Sequence, residues 1–238
     1  MFADHRSNIF VINSLFSNNK AVGAGGAICE RDNFNINVTN NFFSNNTAGS
    51  SHDLDCIDTD FNTYYNGGAL SAMSGSNMLV YNSSFHNNRA FTCHGGAISA
   101  HLTSKIEIKN SYFQDNIAGN CGGAVYSYND GHMFVNNATF NNNIGKYYGG
   151  ALCSFTRTYS HVVHSTFNHN FANIQGGAIT SFDHTILTID HCVFLNNQAK
   201  DEVGGAIDVH KYSSVDVANS VFNHNQAEMI GGALSVIC

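Results

Sequence analysis

A pair of glycines followed by an alanine and an aliphatic residue recurs along this chain. The pairs begin at Gly25, Gly67, Gly95, Gly122, Gly149, Gly176, Gly204 and Gly231, at spacings of 42, 28, 27, 27, 27, 28 and 27 residues. Each of the first seven pairs is followed 18 residues later by a phenylalanine: Phe43, Phe85, Phe113, Phe140, Phe167, Phe194 and Phe222, with Phe16 as an upstream copy. From phenylalanine to the next glycine pair the distance is 9 or 10 residues, except for one stretch of 24. Invariant blocks with all length variation confined to one turn are what a stack of equivalent coils requires.

Within the fixed block the pattern has period two. Eleven residues after the first glycine stand Ile36, Met78, Ile106, Met133, Ser160, Leu187 and Val215; thirteen after stand Val38, Val80, Ile108, Val135, Val162, Ile189 and Val217. Such alternation reads as strand with one buried face. No 3.6-residue stripe appears, and glycine, asparagine, serine and threonine are dense. Residues 1–238 are therefore expected to form an all-β, right-handed, single-stranded parallel β-helix of about eight coils of 27–28 residues, with a loop insertion at about 49–65. Parallel strands lie about 4.8 Å apart, so the rod would be roughly 38 Å long. A leucine-rich horseshoe lacks its signature here, and a propeller needs a longer period. The chain opens within a coil and closes at "GGALSVIC" with no polar cap, which predicts a section of a longer solenoid.

Stacking turns each recurring position into a column. The phenylalanines would form an aromatic core column, each burial contributing roughly 1.5–3 kcal/mol. Three residues beyond each stands an asparagine: Asn19, Asn46, Asn88, Asn116, Asn143, Asn170, Asn197 and Asn225. Stacked amides can bond to one another, and asparagine also tolerates left-handed turns. Three residues before each lies a second polar column, with His164 and His191 replacing asparagine. Two imidazoles make no closed zinc site, so they read as substitute rungs. The glycine pairs suit sharp turning or close packing and lack the lysine of a phosphate loop.

The Gly-Gly-Ala-aliphatic and Phe-x-x-Asn motifs, as in Phe113-Gln114-Asp115-Asn116 followed by Gly122-Gly123-Ala124-Val125, resemble the repeats of the polymorphic outer membrane proteins. The resemblance implies a parallel β-helix passenger of a surface adhesin, a cell-surface or extracellular location, and no catalytic residues.

Composition narrows the partners. The net charge is −7 with only 11% charged residues, which disfavours nucleic acid. No apolar run is long enough for a transmembrane helix, so direct membrane insertion by this segment is not expected. The expected partner is a cell-surface protein or a glycan. Six residues after the first glycine lie Met73, His101, Tyr128, Phe155, Phe182 and His210. Alternation would point them outward, either as an aromatic platform for sugar rings or a protein, or as cover for the adjoining corner. The insertion concentrates Asp53, Asp55, Asp58 and Asp60, readable as a solvated acidic loop, a Ca²⁺ site or catalytic carboxylates. No other cofactor is expected. β-Helices also host polysaccharide lyases and glycoside hydrolases, which use paired carboxylates. Asp183 and Asp208 lie on neighbouring coils at different positions, so the non-enzymatic reading leads, as an adhesive or ligand-binding segment or a structural spacer. Of seven cysteines, Cys93 and Cys121 are close enough on adjacent coils to bridge, whereas Cys29 and Cys153 share a column four coils apart and cannot. Sequons at Asn37, Asn45, Asn82 and Asn137 would accept glycans after eukaryotic export, although Asn82 and Asn137 also belong to the polar column.

Overall fold

The computed structural model describes residues 2–3, 8–30, 35–49 and 67–237, and among them there are strands and turns but no helix. Asp53, Asp55, Asp58 and Asp60 lie outside the described residues. Four parallel sheets run along the molecule, one of nine strands and three of eight. Each coil gives one strand to each sheet, for example Ile98–His101, Lys105–Lys109, Tyr112–Gln114 and Ile117–Ala118. Sheet neighbours come from consecutive coils, and register sets like beside like: Phe85 against Phe113, Phe113 against Phe140, Ile108 against Val135, Ala90 against Ala118. The fold is the parallel β-solenoid that the repeats predict.

The interior is a set of columns. Phe43, Phe85, Phe113, Phe140, Phe167 and Phe194 are fully buried, while Phe16 and Phe222 at the two ends are partly so. Successive rings lie 4.7–4.9 Å apart, with planes within 10° of parallel. The spacing is that of the strands, so the sheet itself sets the stack.

Beside the rings runs the asparagine column, with every amide valence of its interior members used. Asn116 Nδ2 donates to Asn143 Oδ1 and to Phe85 O, each at 3.0 Å. Its Oδ1 accepts from the backbone N–H and the Nδ2 of Asn88, both at 3.0 Å. The same pattern repeats through Asn143 and Asn170. A buried amide is tolerated only when so satisfied.

The structure assigns left-handed geometry to other residues than the sequence reading did. The buried asparagines are not left-handed. The residue before each one is, at Asn18, Asn45, Asn87, Asp115, Asn142, His169, Asn196 and His224. The second polar column is left-handed as well, from Asn13 (φ 50°) to His164 (φ 49°), His191 (φ 50°) and Asn219 (φ 49°). Asparagine, aspartate and histidine are the non-glycine residues enriched in this region. These corners turn the chain between sheets and face solvent, so backbone conformation selects their occupants more than rung-to-rung bonding. Some rungs do bond, as Asn82 Nδ2 does to Asn40 Oδ1 at 2.7 Å and Asn137 Nδ2 to Asn110 Oδ1 at 2.8 Å.

The two glycines of each pair have different reasons. At Gly95 φ is +64°, and a Cβ there would lie 2.0 Å from Ile98 O. At Gly96 a Cβ would lie 2.0 Å from Gly123 O on the next coil and 2.6 Å from Ile117 N of the strand crossing beneath. The first glycine turns the chain; the second lets two backbones touch.

Candidate functional site: an outer aromatic column

The nine-stranded sheet carries the strands Val125–Tyr128, Leu152–Phe155, Ile179–Phe182 and Ile207–His210 after Ile98–His101. Their aliphatic residues Ile98, Val125, Leu152, Ile179 and Ile207 are fully buried, facing the interior. Alternation therefore sends the fourth and sixth residues after the first glycine to the outer face. Register then places His101, Tyr128, Phe155, Phe182 and His210 in one line. Ring centroids along it are 6.1, 6.3, 4.7 and 6.0 Å apart.

The column is not uniformly open. Met73 and His101 are buried, at 7% and 0% exposure, whereas Tyr128, Phe155, Phe182 and His210 are half-buried. The partly accessible stretch of the column thus runs from Tyr128 to His210. Charged corner residues border it. Lys211 Nζ sits 4.7 Å from the centre of the Phe182 ring. Arg157 holds Asp130 with two bonds, Nε to Oδ1 at 2.8 Å and Nη2 to Oδ2 at 2.9 Å, and also reaches Asn129 Oδ1. Those bonds hold the Asp130 carboxyl below its usual range.

Three stretches, residues 13–29, 82–101 and 110–128, match the Chlamydia polymorphic membrane protein repeat. Those three stretches carry repeats of the polymorphic membrane protein type. Each match begins at a left-handed corner, at Asn13, Asn82 or Asn110, and passes through the core phenylalanine, the ladder asparagine and the glycine pair. The two longer matches end on the outer column, at His101 and Tyr128. Comparison with curated proteins and with solved structures finds no match to this chain.

A second outer column runs beside the first, of which the sequence showed only that Cys29 and Cys153 share it. The residue four after the first glycine faces outward yet is buried in several coils: Ser71, Ser99, Tyr126, Cys153, Thr180 and Asp208. The residue before one coil's glycine pair lies over this position in the next coil. His94 stacks on Tyr126 at 4.1 Å, and Cys121 is disulfide-bonded to Cys153 with Cα atoms 5.9 Å apart. The sequence allowed a bridge between Cys121 and Cys93, but Cys121 bonds to Cys153. The spacing between adjacent coils allowed that bridge, but the loop leans forward over the strand of the next coil. Cys93 is itself disulfide-bonded.

Burial controls ionisation beneath the column. It pushes the His94 imidazole down to about 3, and His101 well below its ordinary value, with His94 adding to the effect. Both rings are uncharged packing groups at neutral pH. Asp208 is fully buried, 3.2 Å from His210 Nε2, and burial pushes its carboxyl up to about 7 while lowering His210. Asp183 instead occupies a half-buried corner, bonded by Thr156 and His184. Among the described residues no group of three or more histidine, cysteine, aspartate or glutamate side chains is arranged to hold a metal ion.

Proposed function

We propose that this segment is a non-enzymatic, extracellular or cell-surface rod that binds a cell-surface protein or glycan along the outer face from Tyr128 to His210. The observation carrying this reading is the line of half-buried rings on four consecutive coils, with centroids 6.3, 4.7 and 6.0 Å apart, edged by Lys211 and Arg157. Rings held by a rigid sheet lose little freedom on contact with a flat apolar face, and the polar edge supplies hydrogen bonds. The repeat type supports a surface location, because the matching repeat is named for membrane proteins. The Cys121–Cys153 disulfide supports it independently, since such bonds persist in oxidising compartments.

The test is binding of the immobilised chain to a glycan panel and to intact cell surfaces, beside a Phe155→Ser/Phe182→Ser variant. The expected result is binding that falls at least tenfold in the variant while the far-ultraviolet circular dichroism of a β-protein is retained. Equal binding by both proteins, or none by either, would overturn the reading. New reducing ends or unsaturated uronides released from the panel would favour a glycan-degrading enzyme instead.

A further inference from the structure

The corner column holding His164 and His191 has a property the other rungs lack. Both side chains are exposed, and they stand on consecutive coils at matching left-handed corners. Their ring centroids are 5.1 Å apart, tilted by 39°. Two imidazoles bound to one ion through nitrogens about 2.0–2.1 Å from it would have centroids roughly 4.5–5.1 Å apart for angles between right and tetrahedral. The observed separation reaches that range with no movement of the backbone.

The surroundings select a tautomer. Asp190, the last residue of the strand Ile186–Asp190, places Oδ2 2.9 Å from His191 Nδ1. Its Oδ1 accepts from Asn219 Nδ2 at 2.8 Å. The carboxylate is thus fixed from two sides. A carboxylate on Nδ1–H leaves the Nε2 lone pair directed away from it, as in carboxylate–histidine–metal arrangements.

We propose that His164 and His191 form a two-imidazole site for a borderline divalent transition-metal ion, with Asp190 as its positioning residue. Water fills the remaining coordination positions, so the site is open and exchangeable. Among first-row ions Cu²⁺ binds nitrogen sites most strongly, with Zn²⁺ and Ni²⁺ weaker.

The experiment is titration of the purified chain with Cu²⁺ alone in a non-coordinating buffer, by calorimetry and electron paramagnetic resonance. His164→Asn/His191→Asn is the comparison, because asparagine already occupies this corner at Asn82, Asn110, Asn137 and Asn219 and should fold there. The chain has 13 histidines, so the difference between the two proteins is the readout. The wild type is expected to bind one Cu²⁺ at least tenfold more tightly than the variant, with hyperfine structure from two imidazole nitrogens. Asp190→Asn should weaken binding by roughly tenfold while leaving the two-nitrogen signature in place. A variant that matches the wild type in affinity and spectrum overturns the proposal, as does an Asp190→Asn protein that binds as tightly as the wild type.

Discussion

Replacing Asn116 with alanine tests whether the amide ladder or the aromatic stack holds the coils in register. The substitution deletes four side-chain hydrogen bonds, two donated and two accepted. Asn116 keeps its backbone bond to Asn143 Oδ1. The loss is felt mostly by Asn88, whose backbone N–H and Nδ2 both lose their acceptor in a site with no exposure. An orphaned buried donor costs about 1–3 kcal/mol, so the pair alone costs about 2–6 kcal/mol, and about 4 kcal/mol is expected. Asn110→Ala is the matched control, six residues earlier. Asn110 is exposed and left-handed at φ 50°, so alanine there loses little bonding and incurs only the left-handed penalty of about 1–2 kcal/mol. Asn110→Gly should be close to neutral. Urea denaturation followed by circular dichroism reads all three variants. If Asn116→Ala costs no more than Asn110→Ala, the ladder contributes nothing beyond turn conformation and the reasoning fails.

Three further outcomes follow from the same geometry. Gly96→Ala drives a Cβ into Gly123 O and Ile117 N, both backbone atoms, so soluble expression or the denaturation midpoint should drop sharply, by about 3 kcal/mol or more; an alanine variant as stable as the wild type would refute the close approach. Burial pushes the Cys192 thiol up to about 11, so it should resist alkylation at pH 8 in the native protein and react promptly once unfolded; mass spectrometry of iodoacetamide-treated samples decides. Asp208 has its folded value raised to about 7, so the native state holds its proton more tightly than the unfolded chain. Stability from this group is complete below about pH 4 and declines toward pH 7, by on the order of 4 kcal/mol in total. Asp208→Asn should remove that decline, and parallel pH–stability curves for the two proteins would contradict it.

How far the sequence could be read depends on which physical constraint wrote each position. The phenylalanines, the alternating aliphatics and the glycine pairs face the interior or the adjacent backbone, where every coil meets the same steric demand. The period therefore exposed them, and with them the sheets and the like-on-like register. The outer column was legible only in direction. Alternation placed His101 and Phe155 on the same outward line, but nothing in the period says that His101 is covered while Phe155 is half open. The cysteines show the limit most clearly. Cys121 and Cys153 occupy different positions of the repeat, so no column-by-column comparison pairs them. Their bond, like the stacking of His94 on Tyr126, arises because a loop of one coil leans over the strand of the next. That lean is a displacement along the rod axis, a coordinate that a periodic pattern around the coil does not encode. The left-handed corners were misassigned for a related reason. Asparagine serves both as a buried amide rung and as a turn former, and one residue separates the two uses at Asn45 and Asn46. His169, aligned with Asn45 and not with Asn46, was the available discriminator. An imidazole can occupy the left-handed corner, but it cannot reproduce the two-donor, two-acceptor pattern of the ladder.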